Sequence, residues 1–177
     1  MLGDSIGAGY GVPERAGWVS LLDAELSEYK VINASISGDT SSGAKTRLPA
    51  LLEHFSPELV IIEVGGNDGL RGQPVALLKR NLNDMIDLAE AQGARVLLLG
   101  MMIPPNYGKA YTEAFHSVYH QVAKERQVEF LPFLLDGIAL DPTLMQADRI
   151  HPNERAQAKI LQNVLPLVQQ SINNRSD

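Results

Sequence analysis

The sequence predicts an α/β fold, doubly wound around a parallel sheet, and three observations carry that expectation. Short apolar runs alternate with longer stretches of helical period along the whole chain. Two of the runs, around Ile61-Ile62 and Leu97-Leu98-Leu99, are apolar at every position, as strands covered on both faces are. Three runs lead directly into turns that set a glycine beside a polar side chain: Gly3-Asp4-Ser5, Ser37-Gly38-Asp39 and Gly65-Gly66-Asn67-Asp68. In a parallel sheet all strands point one way, so such turns share the carboxyl edge, where open α/β sheets build their sites.

Taken in order, the apolar runs predict strands at 31–34, 59–64, 96–102 and 128–131. The helical stretches fall between them, at about 18–27, 42–55, 75–91, 110–126 and 154–172. The second ends at His54-Phe55, just before Pro57, and the last opens after Pro152-Asn153. Residues 173–177 read as a frayed tail. A length of 177 residues with 45% hydrophobic and 20% charged positions is that of one globular domain, 1–177. The net charge of -6, with its Lys and Arg scattered, argues against nucleic acid or an anionic membrane surface as a partner. No apolar run reaches the roughly 20 residues that cross a bilayer. With no cysteine, a covalent mechanism falls to Ser, Thr, Lys or a carboxylate.

Gly3-Asp4-Ser5-Ile6-Gly7 fits the G-x-S-x-G pattern that exposes a serine on a tight strand-to-helix turn, a short and unspecific match by itself. A serine hydroxyl needs a base, and four histidines offer themselves. His54 closes a helix, where it complements the dipole. His116 and His120 share a helix face, yet His-Ser-Val-Tyr-His lacks the glutamate of the zinc motif, so a helix surface is the plainer reading. His151 stands on a loop before the last helix, three residues after Asp148. That spacing lets a carboxylate hold Nδ1 and leaves Nε2 to face Ser5. Donors for an oxyanion are then available from the N–H of Ser5, the N–H of Gly38 and the side-chain amide of Asn67. The plainer reading of each glycine alone is a strand end.

Gly3-Asp4-Ser5, Gly38, Gly65-Gly66-Asn67-Asp68 and Asp148-x-x-His151 stand in the order and approximate spacing of the four blocks of the SGNH (GDSL-type) hydrolase family, which the chain resembles. The stretches 33–40, 65–72 and 105–108 are similar to the bacterial subgroup of thioesterase I, protease I, lysophospholipase and arylesterase activities. The resemblance covers nearly the whole chain. It implies a flavodoxin-like three-layer α/β/α fold with strand order 2-1-3-4-5 and no metal or organic cofactor. It also implies the four SGNH roles on Ser5, Gly38, Asn67 and His151, with Asp148 as third member of the triad, acting on an acyl ester or thioester. By the same likeness Leu70, Pro74, Ile103, Pro104 and Tyr107 flank the acyl groove. The apolar run Met101-Met102-Ile103 suits a chain-length-tolerant wall, although either methionine taken singly reads more plainly as core, since strand neighbours point to opposite faces.

Two departures stand out. Ile6 and Gly7 occupy positions where the family carries Leu and Ser or Thr. Relatives also have an apolar strand before the Gly-Asp-Ser block, whereas only Met1 and Leu2 precede it here. The expectation is therefore a domain lacking most of its first strand, or a numbering that begins inside a longer protein. In the second case an upstream signal peptide would make the protein periplasmic or secreted, and otherwise it is cytoplasmic; oligomeric state is left open. Two other functions compete: a carbohydrate deacetylase of the same family, and a non-catalytic binding module, which the absence of a G-x-x-x-x-G-K or complete G-x-G-x-x-G pattern disfavours.

Overall fold

The computed structural model describes residues 1–173. Four parallel strands form one sheet in the order β1-β2-β3-β4: β1 (Leu2–Gly3), β2 (Leu59–Glu63), β3 (Arg95–Leu99) and β4 (Glu129–Leu131). Leu2 stands opposite Ile62, Ile61 opposite Leu97, and Leu98 opposite Phe130. The two runs that are apolar at every position are buried throughout, because helices cover both faces.

The helices are α1 (Trp18–Glu25), α2 (Ser41–Phe55), α3 (Gly66–Leu70), α4 (Val75–Ala91), α5 (Lys109–Arg126) and α6 (Gln157–Asn173). α1 packs with α6, α4 packs with both α2 and α5, and α4 and α6 both rest on β3. Buried side chains recur at helical spacing on the covered faces: Leu78, Leu82, Met85, Ile86 and Ala89 on α4, and Phe115, Val118, Tyr119 and Val122 on α5. Thr40 caps α2 by accepting the N–H of Gly43, and Gln127 closes α5 in the left-handed region.

The strand expected at 31–34 is not formed. The segment still runs beside β1: Met1 N donates to Ile32 O at 2.8 Å, Ala34 N to Met1 O at 2.9 Å and Ile36 N to Gly3 O at 3.0 Å. β1 is only two residues long, and the Ala34 carbonyl accepts from the Arg47 guanidinium instead of from β1, so a regular ladder does not develop on that edge. The runs expected at 59–64 and 96–102 end earlier, at Glu63 and Leu99, where the chain turns toward the site. The last helix starts three residues late, behind a single 3-10 turn at Glu154–Ala156, and runs to Asn173, where fraying was expected to start. The rest of the expected tail lies outside the described residues.

Candidate functional site: a serine, a histidine and an aspartate at the sheet edge

β1 ends in the turn that carries Ser5. Asp4 folds its carboxylate back so that Oδ1 accepts the N–H of Ile6 at 3.1 Å, which tightens the turn. Beneath it, fully buried Trp18 donates its Nε1–H to Ile6 O at 3.1 Å. Ser5 itself is half-buried and its hydroxyl points at the histidine loop.

That loop lies between β4 and α6 and is shaped as a small hairpin. Met145 and Pro152 form an antiparallel bridge, Gln146 N donates to His151 O at 2.8 Å, and Asn153 N donates to Leu144 O at 2.8 Å. Arg149, with φ +58, makes the reversal at the tip. The hairpin is held from both sides. Asn153 Nδ2 reaches Thr143 O and Met145 O, while Gln146 Nε2 reaches Tyr10 O at 2.7 Å, tying the histidine loop to the serine turn.

Ser5 Oγ lies 2.9 Å from His151 Nε2, and His151 Nδ1 lies 2.7 Å from Asp148 Oδ2. Asp148 Oδ1 accepts the N–H groups of Ile150 and His151 at 2.9 and 3.0 Å. Burial works against the ionised form of Asp148, but the hydrogen bond from His151 and the two amides outweigh it and hold its pKa down to about 2. The carboxylate is thus charged at any physiological pH and keeps Nδ1 as the protonated nitrogen. The ring of Tyr10 lies 4.6 Å from the imidazole, tilted by 43°.

Gly38 and Asn67 are brought to the same turn by separate links. Ile36 N–H bonds to Gly3 O, and Gly38, at φ +82, bends the chain across the end of β1. Arg71 Nη2 donates to Gly38 O at 3.0 Å, and Asn67 Nδ2 to Asp4 Oδ2 at 3.3 Å. Behind Asn67, Asp68 receives the amide and hydroxyl of Ser41, while Asn81 Nδ2 donates to the Ser41 hydroxyl at 2.9 Å. Ser41 is fully buried in this network and fixes the start of α2 against α3. Neither α3 nor this network was expected from sequence.

The residues expected along the groove do not share one environment. Pro74 is exposed as the N-cap of α4, Tyr107 is exposed, and Leu70 and Pro104 are half-buried. Ile103 is only 7% exposed, and its Cγ2 fills the space a side chain would need at Gly69, so it backs the wall from the core. The apolar groups that face solvent include Met102 of the expected wall, and Tyr10, Ile36 and Ile150, which sequence reasoning did not assign to substrate; Met101 is buried in the core. A cavity of about 390 Å³ lies instead near the amino ends of β2 and β3, lined by Leu26, Tyr29, Leu52 and Ile172 but by no residue of the Ser5 cluster.

His116 and His120 approach each other, with Nε2 atoms 3.2 Å apart. Among the described residues no group of three or more His, Asp or Glu is placed to hold a metal ion, and no helix is long and apolar enough to cross a membrane.

A hydroxyl, an imidazole and a carboxylate hydrogen-bonded in a row at the carboxyl edge of a parallel sheet define a class, that of α/β chains with a Ser-His-Asp arrangement. Comparison narrows the class: the chain belongs to the GDSL-like Lipase/Acylhydrolase family, which matches residues 1–159. It is 51% identical over 170 residues to esterase TesA of Pseudomonas aeruginosa, covering 94% of this chain and 85% of that protein. It is 43% identical over 177 residues to thioesterase 1/protease 1/lysophospholipase L1 of Escherichia coli (strain K12), covering 99% and 85%. The crystal structure of the psychrotrophic esterase EstA from Pseudoalteromonas sp., inhibited by monoethylphosphonate, superposes with a TM-score of 0.92 at 42% identity, covering 98% of this chain and 97% of that one.

Proposed function

We propose that this protein hydrolyses acyl esters and thioesters through an acyl-enzyme on Ser5. The family and the relatives make it an esterase/thioesterase-type hydrolase. The observation that carries the assignment of residues is the unbroken row Ser5 Oγ, His151 Nε2, His151 Nδ1, Asp148 Oδ2, at 2.9 and 2.7 Å. Ser5 Oγ attacks the acyl carbon as its proton passes to His151 Nε2; Asp148, ionised, stabilises the imidazolium that forms. The N–H groups of Ser5 and Gly38 and the Nδ2 of Asn67 receive the oxyanion. Collapse of the tetrahedral intermediate breaks the ester or thioester bond, and His151 returns the proton to the leaving oxygen or sulfur. Water then attacks the acyl carbon, giving its proton to His151, which passes it to Ser5 Oγ as the bond to the acyl carbon breaks and the acid leaves.

The acyl chain is accommodated along the apolar margin of exposed Met102 and Tyr107 and half-buried Pro104, with Leu70 and Pro74 opposite and Ile103 behind. Segment 31–36 is read as the remaining edge of a 2-1-3-4-5, three-layer sheet, in keeping with its three hydrogen bonds to Met1 and Gly3.

The test is Ser5→Ala assayed on aryl esters, with wild type labelled by an ethylphosphonate and the adduct mapped by peptide mass. The variant is expected to lose turnover and labelling while unfolding as wild type does. Near-wild-type turnover, or a label on any other residue, removes Ser5 from the mechanism.

A further inference from the structure

A second carboxyl group lies directly behind the serine turn and takes no part in the mechanism above. Glu63 ends β2, opposite Gly3 of β1, and is fully buried. Its Oε2 accepts the N–H of Asp4 at 3.1 Å and of Gly7 at 2.9 Å. The turn wraps this oxygen closely: a Cβ on Gly3 or Gly7 would fall 2.6 or 2.9 Å from Oε2. Asp4, 2% exposed, stands next to it. Neither carboxyl has a cationic partner within ion-pair distance among the described residues.

Two adjacent carboxyls shut away from water without a counter-ion do not both ionise, so the pair holds one proton. Its position follows from the hydrogen bonds. Both oxygens of Asp4 already accept, from Ile6 N–H and from Asn67 Nδ2, which favours the charged form there. On Glu63 one oxygen accepts two amides, while Oε1 is buried with no donor. We propose that Glu63 is a neutral acid that donates from Oε1 to the Asp4 carboxylate, a positioning residue that fixes the nucleophile turn and, through Asp4, aims the Asn67 amide.

The energetics point the same way. Burial and then the charge of Asp4 push Glu63 well above the ordinary carboxylate range. Asp4 is raised by burial too, but its hydrogen bonds with Glu63, Ile6 and Asn67 draw it back. Other groups face the pair from the elements around it. Tyr119 of α5 donates to Val64 O, Asp68 lies on α3, Arg47 of α2 donates to Gly3 O, the Met1 amino group lies beside it, and His151 faces Asp4 across the turn. Tyr119 is raised well above its ordinary value by burial and then by the carboxyls. On the alkaline side, loss of the Glu63 proton places two like charges side by side and releases the turn.

The inference rests on the roles given to Ser5 and Asn67, and its test separates the two. The full chain is studied by infrared difference spectroscopy across pH, alongside kcat and KM for an aryl ester, as wild type, Glu63→Gln, Glu63→Ala and Tyr119→Phe. A buried protonated-carboxyl band is expected at neutral pH in wild type, absent from Glu63→Gln and lost in wild type as kcat declines on the alkaline side. Gln reproduces the neutral acid, accepting from the two amides and donating to Asp4, so Glu63→Gln lacks that alkaline limb and Tyr119→Phe retains it. Glu63→Ala loses kcat by up to about a hundredfold at every pH with KM little changed. An absent band, or an alkaline limb that persists unchanged in Glu63→Gln, overturns the proposal even with the Ser5 mechanism intact. Retained turnover in Ser5→Ala overturns the mechanism instead, and the band is unaffected.

Discussion

Replacing Asp148 by asparagine separates what this residue does for the fold from what it does for the chemistry. The fall of its pKa from 3.8 to about 2 is worth at most about 2 kcal/mol, at roughly 1.36 kcal/mol per pH unit. With 40% of the side chain open to solvent, screening reduces this to about 1 kcal/mol. Because the folded value is depressed, that stability is present above the unfolded value near ~3.9 and is lost as pH falls toward about 2. Removing the charge at neutral pH therefore lowers Tm by only about 2–4 °C for a chain of this size. Turnover responds far more. Asn offers an N–H toward His151 Nδ1 where the carboxylate accepted one, so the imidazole adopts the tautomer with its proton on Nε2, which cannot take the proton of Ser5. A loss in kcat of about 10⁴ is known for this exchange in a serine protease triad, and a similar size is expected here. Thermal melts with ester kinetics at pH 7 check both numbers. A variant within tenfold of wild-type kcat refutes the orienting role, and a Tm drop beyond about 10 °C shows that Asp148 holds the hairpin more than the imidazole.

Asn67→Ala is expected to lower kcat by about 10²–10³ with little change in KM, because in the proposed mechanism its amide donates to the oxyanion; a rise confined to KM speaks against that role. Gly65→Ala forces a side chain into φ +114 with its Cβ 2.2 Å from the Tyr119 hydroxyl, so a stability loss of about 1–3 kcal/mol is expected by denaturant unfolding. Lengthening the acyl group of an aryl ester from two to six carbons is expected to raise kcat/KM at least about tenfold, given up to ~0.8 kcal/mol per buried methylene. Met102→Asp removes that gain while sparing acetate. If hexanoate is cleaved no better than acetate, deacetylation becomes the better reading.

Asp148 and His151 could be paired from sequence because only two residues separate them and a single hairpin brings them together; the glycine-bearing turns stood out because backbone geometry restricts which residues fit there. Contacts that cross the chain were not legible. Gln146 meets the Tyr10 carbonyl across 136 positions, and Glu63 meets the Asp4 amide across 59. The one local hint of the latter was a lone glutamate closing the apolar run Val60-Ile61-Ile62. α3 escaped because two of its five residues are glycine, a poor helix former, so its stability comes from the Ser41–Asp68 network. The segment 31–34 has strand composition but gains only isolated bonds to β1, and composition does not report how many partners a neighbour offers. Ile103 was placed beside the groove by family likeness and apolar character, and neither distinguishes a lining side chain from one that supports the lining.

Ser5 and His151 stand 146 positions apart, so their 2.9 Å contact exists only once both ends of the chain are docked on the sheet. One hydrogen-bonded path makes that docking specific. Ile6 O accepts from Trp18 Nε1; Trp18 N donates to Gln157 Oε1; Gln157 Nε2 donates to Asn153 O; and Asn153 Nδ2 binds the carbonyls of Thr143 and Met145 in the histidine hairpin. Trp18 is fully buried and Gln157 is 2% exposed, so the polar groups along this path have no water to fall back on. A misplaced α6 would strand several of them at once, which penalises near-native packings much more than it stabilises the native one. The ordering cost of the triad is met during folding, by α1 and α6 closing over the sheet, and the row of three side chains is in place before any acyl group arrives.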